Sequence, residues 1–125
     1  MKNLRFAVPK EARVALITGG ARGLGRAIAL RLALEGRDIA IVDLREEEAA
    51  CTVREIETTG VKAIFIKTDV TDVDAVRACV ENVYRQFSRI DILVCSAGIL
   101  GLEAPFMEQS SAQFDQVMRV NVYGT

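Results

Sequence analysis

The sequence predicts an α/β fold, a doubly wound parallel sheet with helices on both faces. Three observations predict it. From residue 13 onward, short apolar runs alternate with segments of helical period. The runs are nearly continuous in apolar residues, as strands buried on both faces must be. Glycines fall where runs or helices end, at Gly19, Gly36, Gly60 and Gly98. Strands alternating with helices in this way argue for βαβ units around one parallel sheet. A chain of 125 residues holds one domain, and no linker, low-complexity tract or second domain divides it.

The elements follow in order. Residues 13–18 form the first strand and run into Gly19-Gly20. A helix is expected from about Gly23 to Glu35, with Leu24, Ile28 and Leu32 on its inner face and Gly36 as its stop. Residues 38–42 form the second strand. Glu46, Glu47 and Glu48 then suit the first turn of a second helix, where the dipole favours acids. That helix runs to about Thr58, and residues 61–67 form the third strand. Thr71-x-x-Asp74 reads as a capping box. Val73, Val76, Val80, Val83 and Phe87 then recur at the helical period. Residues 90–95 form the fourth strand. After a loop with Gly98, Gly101 and Pro105, Ser110-x-x-Gln113 is a second capping box, and Phe114, Val117 and Met118 are expected to face inward.

Composition excludes several function classes. Lys and Arg number 16 against 17 Asp and Glu, a net charge of −1. No basic excess is available to neutralise nucleic-acid phosphates, so nucleic acid is not an expected partner. No apolar run approaches the ~20 residues of a membrane helix. The first residues, MKNLRFAVPKEA, lack the apolar core of a secretory signal. Histidine is absent, so neither a Ser-His-Asp site nor a His-ligated metal is expected. Cys51, Cys79 and Cys95 have no zinc or Cys-x-x-Cys spacing. They are expected to be reduced packing residues of a cytoplasmic protein, without bound metal.

The informative residues lie at strand ends, where open α/β sheets bind ligands. The first strand ends in Thr18-Gly19-Gly20-Ala21-Arg22-Gly23-Leu24-Gly25. Gly19 lets the chain turn, Gly23 lets backbone approach a pyrophosphate, and Gly25 lets the helix pack tightly. The N–H groups at the helix start then face the anion. Asp43, followed by Leu44, ends the second strand, where an acid accepts ribose hydroxyls and repels a 2′-phosphate. Without Gly-Lys-[Ser/Thr], the turn is not a P-loop. Asp43 as a plain helix cap is the bland alternative.

Five features together resemble the N-terminal half of the short-chain dehydrogenase/reductase family. They are Thr18-Gly19-x-x-x-Gly23-x-Gly25, Asp43, Asp69-Val70, Ala97-Gly98 and Asn121 in Asn121-Val122-x-Gly124-Thr125. The resemblance covers the chain from about residue 12. It implies an incomplete Rossmann-type sheet of order 3-2-1-4, with strand four at an open edge. Residues 1–12 would be an N-terminal extension, and 13–125 the first part of a truncated NAD(P)-binding domain. By resemblance, Asp69 holds the adenine amino group and Val70 packs near the ring. Ser96, Ala97 and Gly98 pass close to the nicotinamide-side ribose. The family usually has Asn-Asn-Ala-Gly where this chain has Cys95-Ser96-Ala97-Gly98, and Cys95 is expected to be a buried replacement. The Asn121 carbonyl would hold a water in a proton relay.

Family catalysis also needs a Ser about a dozen residues ahead of a Tyr-x-x-x-Lys, and neither motif is present. Tyr84 is followed four places on by Ser88, and Tyr123 lies within the Asn121 motif. The expectation is therefore a partial oxidoreductase, inactive alone. The complete protein would move hydride between NAD(P) and a secondary alcohol or ketone, as a homo-oligomer. Asp43 favours NAD, while Arg22 and Arg45 leave NADP possible. A non-catalytic nucleotide-binding module and an S-adenosylmethionine-dependent methyltransferase are the alternatives.

Overall fold

The computed structural model describes residues 13–125, so the expected extension over residues 1–12 lies outside the described residues. Four strands, β1 (Val14–Thr18), β2 (Asp38–Asp43), β3 (Ala63–Lys67) and β4 (Ile92–Cys95), alternate with α1 (Gly23–Leu34), α2 (Glu46–Glu57), α3 (Val73–Phe87) and α4 (Ser111–Met118). A π-helical turn, Arg119–Tyr123, continues α4. The strands pair in parallel in the order β3-β2-β1-β4. Leu16 is opposite Ala40 on one side and Leu93 on the other. Order and direction are those the sequence implied.

The pleat sends alternate residues to two cores. Ala15, Ile17, Ile39 and Ile41 meet α1 and α2 on one face, with Ala29, Ala33, Ala49 and Ile56. Val14, Leu16, Ala40 and Val42 meet Cys79 and Val83 of α3 on the other. Each fully buried Ile or Val contributes about 1.5–3 kcal/mol relative to exposure. The two central strands, β1 and β2, supply most of the buried aliphatics.

Several local expectations are corrected. The α1 face against the sheet is Gly25, Ala29 and Ala33, while Leu24 is 72% exposed. Small residues at four-residue spacing let the helix lie close to the strands, and the large ones are pushed to the flanks. The start of α3 is capped by Asp72, not Thr71. Its carboxylate accepts from the Asp74 and Ala75 N–H groups, both at 3.0 Å. The carboxylate of Asp74 instead pairs with Arg77. The buried seam of α3 is Cys79 and Val83, with Val73 and Val80 exposed. A cysteine fills a core position that the valine spacing hid. The Ser110–Gln113 capping box is present as expected.

Phe114 points outward at 60% exposure, and α4 has no buried residue. Cys51 and Cys95 are also exposed, and only Cys79 is buried. Among the described residues β4 pairs with β1 alone. Its Ile92 and Val94 pack into the α1–α2 core, whereas Leu93, 63% exposed, and Cys95 face the side that α3 does not reach. The strand thus shows an open edge and a half-covered face.

Asp91 pins the start of the sheet. It accepts the Val14 N–H at 2.9 Å, while its own N–H donates to the Val14 carbonyl at 2.9 Å. Arg89 donates to both carboxylate oxygens, at 2.7 and 2.6 Å. The Arg89 hydrogen bonds, then the Val14 N–H, hold the Asp91 carboxyl below the usual carboxylate range. A lowered pKa gives stability that is present above the unfolded-state pKa and lost as pH falls through the folded one. Asp91→Asn should therefore destabilise the fold at about pH 7, with the deficit shrinking as pH drops below ~4. Urea unfolding of both forms across that range checks this, and a deficit independent of pH would contradict it.

Candidate functional site

The C-terminal ends of β1, β2 and β4 meet at Gly19. Its φ of 67° turns the chain out of β1, and its N–H donates to the Val42 carbonyl at 2.8 Å. A Cβ here would stand 2.6 Å from the Ser96 oxygen and 2.8 Å from the Ala97 Cα and N. A Cβ on Gly25 would in turn collide with the Gly19 carbonyl. Backbone from β1, α1 and the end of β4 is thus in direct contact. Thr18 locks the third segment. Its Oγ1 accepts the Ser96 and Ala97 N–H groups, each at 3.1 Å. This hydroxyl braces the strand end at Ser96 and Ala97.

The start of α1 is left open. Its N-cap, Arg22, makes no side-chain capping bond, and no acid lies in the first turn. The Arg26 N–H donates back to the Arg22 carbonyl at 3.1 Å. The N–H groups of Gly23, Leu24 and Gly25 therefore have no intrahelical acceptor. Gly23 has φ 57°, and nothing lies within 4 Å of where its Cβ would be. An open, uncapped helix start of this kind carries the positive end of the helix dipole.

Asp43 faces it from the end of β2. Its Oδ2 accepts the Ala21 N–H at 3.1 Å, and Oδ1 accepts the Leu44 and Arg45 N–H groups at 2.8 and 3.1 Å. Asp43 does not cap α2, whose N-cap is Arg45 without a side-chain bond, but it orders the chain entering that helix. Three bonds leave acceptor capacity on a carboxylate with about four lone-pair sites. The Ala21 carbonyl accepts from the buried Thr52 hydroxyl at 2.9 Å. The glycine turn is thereby tied to both β2 and α2. Arg45 is paired with Glu48 at 3.3 Å.

A cleft of about 870 Å³ opens between these parts. It gathers Gly19, Arg22, Gly23, Leu24, Gly25, Asp43, Leu44, Ser96 and Gly98. Thr18 and Ala97 lie behind that wall and shape it. Asp69 and Val70 do not line it. The Asp69 Oδ1 accepts from the Thr71 N–H at 2.9 Å and hydroxyl at 2.7 Å, and these bonds hold its carboxyl below the usual range. Sequence reasoning missed the far wall, formed by Ile99, Leu100, Gly101 and Leu102 with Gln113, Gln116 and Val120. Gly101 was the available signal. Its φ is 82°, and a Cβ would stand 2.8 Å from Val117 Cγ2, so the loop is seated on α4.

Asn121 sits in the π-helical turn and acts on the cleft through Ile99. Its Oδ1 accepts the Ile99 N–H at 2.8 Å and its Nδ2 donates to the Ile99 carbonyl at 2.9 Å. Its own carbonyl accepts the Thr125 hydroxyl at 3.3 Å. Tyr84 and Tyr123 do not line the cleft and are largely exposed. Among the described residues no cluster of His, Cys, Asp and Glu could hold a metal. No helix among them is long and apolar enough to cross a membrane.

Thr18→Val keeps the shape of the side chain but removes the acceptor of the Ala97 N–H, while the Ser96 N–H keeps the Thr18 carbonyl at 3.2 Å. It should cost about 1–3 kcal/mol and speed amide exchange at Ala97 more than at Ser96, whereas Thr18→Ser should leave both as in wild type. Denaturant titration and amide-resolved exchange check this. Unchanged exchange at Ala97 in the valine variant would contradict it.

The family model of short chain dehydrogenases matches residues 13–125. The chain is 39% identical over 114 residues to L-2,3-butanediol dehydrogenase of Corynebacterium glutamicum, covering 90% of this chain and 44% of that protein. It is 38% identical over 116 residues to a 3-oxoacyl-[acyl-carrier-protein] reductase of Staphylococcus aureus, covering 92% and 47%. Among solved structures, NAD+-bound xylitol dehydrogenase aligns with a TM-score of 0.86 at 38% identity, over 90% of this chain and 43% of that one. The chain thus spans less than half the length of these relatives. The glycine turn, the sheet order and the family match agree, and the chain belongs to the short-chain dehydrogenase/reductase family.

Proposed function

We propose that this chain carries the dinucleotide-binding half of an oxidoreductase that moves hydride between NAD(H) and a secondary alcohol or ketone. The observation that carries the reading is the open start of α1 facing Asp43 across the cleft. An uncapped helix start with a glycine that leaves room for close approach fits a pyrophosphate. A carboxylate at the end of β2 fits the ribose hydroxyls of an adenosine. The NAD+-bound state of the similar xylitol dehydrogenase supports the nicotinamide cofactor.

In this reading the N–H groups of Gly23, Leu24 and Gly25 hold the pyrophosphate, and Asp43 with Leu44 holds the adenosine ribose. Asp69 keeps acceptor capacity on Oδ2 for the adenine amino group, since both of its bonds use Oδ1. Ser96, Ala97 and Gly98 present backbone to the nicotinamide-side ribose. When bound, the nicotinamide supplies the hydride donor or acceptor. The Asn121 carbonyl belongs to the proton path, as the family resemblance implies, and its side chain fixes the Ile99 loop. The 125 residues hold no Tyr-x-x-x-Lys, so they bind the cofactor without turnover. The complete protein is cytoplasmic and homo-oligomeric in this account.

NAD(H) is favoured over NADP(H) because a carboxylate beside a 2′-phosphate is costly, and the nearby Arg45 is already engaged by Glu48. Arg22 lines the cleft and is the residue through which NADP would enter. A non-catalytic nucleotide-binding module uses the same cleft and is the second reading. Family membership leaves the methyltransferase reading without support.

Asp43→Ala should weaken NADH binding by about 1.5–3 kcal/mol, roughly tenfold or more in Kd, and narrow the preference over NADPH. Titration of both cofactors by fluorescence checks this. Asp43 also braces Ala21, so a purely structural loss would weaken both cofactors alike. An unchanged NADH/NADPH ratio would reduce Asp43 to a structural brace.

A further inference from the structure

Gly124 is the one glycine of the Asn121 motif, and its backbone does not require it. Its φ is −78° and ψ is −5°, which any residue adopts. Space requires it instead. A Cβ at Gly124 would stand 2.6 Å from the Val120 carbonyl oxygen and 2.7 Å from Val70 Cγ2. The second contact joins two parts of the molecule far apart in sequence. Val70 lies in the loop between β3 and α3, directly after Asp69. Gly124 closes the π-helical turn, its N–H donating to the Arg119 carbonyl at 2.8 Å.

Both ends of this contact are stiff. The Asp69 carboxylate is tied by the Thr71 N–H and hydroxyl, so the backbone around Val70 has little freedom. In the π-turn, the Asn121 amide grips Ile99 through two hydrogen bonds, and Ile99 lines the cleft. The neighbouring Gly101 is seated on Val117 of α4. A displacement of Val70 therefore meets the π-turn, and a displacement of the π-turn moves the Ile99 wall.

We propose that Gly124 is a positioning residue whose missing side chain seats Val70 against the π-turn, coupling the Asp69–Val70 loop to the Asn121–Ile99 wall of the cleft. The use made of this coupling rests on the proposed nucleotide reading. There, the adenine end of the cofactor lies at Asp69–Val70 and the nicotinamide end beside the Ile99 loop. Occupancy of one end would then set the geometry of the other.

Amide exchange of the ligand-free 125-residue chain tests the coupling, comparing wild type with Gly124→Ala, Val70→Ala and the double variant. Overpacking at Gly124 should speed exchange at Ile99 and Thr71 about tenfold relative to Ile41, a core amide that reports global stability. Val70→Ala in the Gly124→Ala background should return both part of the way to wild type, because it vacates the Val70 side of the crowded space and leaves the Val120 carbonyl in place. Val70→Ile presses on the contact from the other side and should speed Ile99 in the same sense, which keeps the test available if Gly124→Ala does not fold. Ile99 exchange that follows Ile41 in every folded variant, or an absence of rescue by Val70→Ala, would overturn the proposal. Adenosine 5′-monophosphate supplies the second arm. It should slow Ile99 exchange in wild type and leave Gly124→Ala unaffected. If neither this probe nor NADH binds wild type, the nucleotide reading falls, and the ligand-free exchange still decides the coupling.

Discussion

The structure depends on a contact between three stretches of backbone at Gly19. The end of β1, the first turn of α1 and the end of β4 approach closely enough that no Cβ fits at Gly19 or Gly25. Steric exclusion of this kind is absolute on the scale of a marginally stable domain. It sets the backbone of Ser96 and Ala97 directly against Gly19. It also gives Thr18 its task, since N–H groups that close in must find an acceptor. The cleft is the space left beyond this junction, and its walls are placed by the same contact.

Packing on the sheet serves the junction. The Gly25, Ala29 and Ala33 stripe lets α1 lie low across β1 and β2, which brings its first turn over the strand ends. Ala21, itself buried, is bonded on one side to Asp43 and on the other to Thr52. The functional turn is thereby connected to the α1–α2 core. Displacing α2 would be felt at the helix start where an anion would sit. On the opposite side of the cleft the Asn121 amide and Gly101 hold the Ile99 loop on α4 and the π-turn. The site is thus assembled from two halves, one anchored in the α1–α2 core and one carried by α4.

How much was legible in the sequence follows from what each signal measures. Parallel direction was readable because strands alternate with helices and are apolar on both faces, the order 3-2-1-4 came with the family resemblance, and the glycine turn is a local geometric demand. Buried helix faces were less readable. Periodicity of large apolar residues pointed to Leu24, Val73, Val80 and Phe114, all exposed. The inner stripe of α1 used glycine and alanine, which carry little hydrophobic signal and matter through closeness of approach, and that of α3 set Cys79 beside the expected Val83. The Asp72 cap was hidden because Thr71 and Asp72 both suit a helix start, and only backbone geometry chooses between them. Phe114 and Cys95 face space that no described element covers, so inward direction was not available to them. At the site, the near wall was legible from residue types at strand ends. The far wall was not, because Ile99 and Gln116 have no motif of their own and Gln113 signals only a helix cap; Ile99 is brought in by the Asn121 bonds, and the two glutamines by α4.

The most direct test of the account is an amide-resolved NMR titration of the 125-residue chain with NADH. The proposed binding mode predicts that the perturbed amides form one set: Gly19 to Gly25, Asp43 to Arg45 and Ser96 to Ile99 around the cleft, with Asp69 to Thr71 at the adenine end. Strand amides deeper in the sheet, such as Leu16 and Ala40, should stay in place. Saturable shifts confined to that set would support a nucleotide cleft built on the three-backbone contact. Saturable shifts that leave Gly23 and Leu24 untouched, or that centre on another face of the sheet, would contradict it.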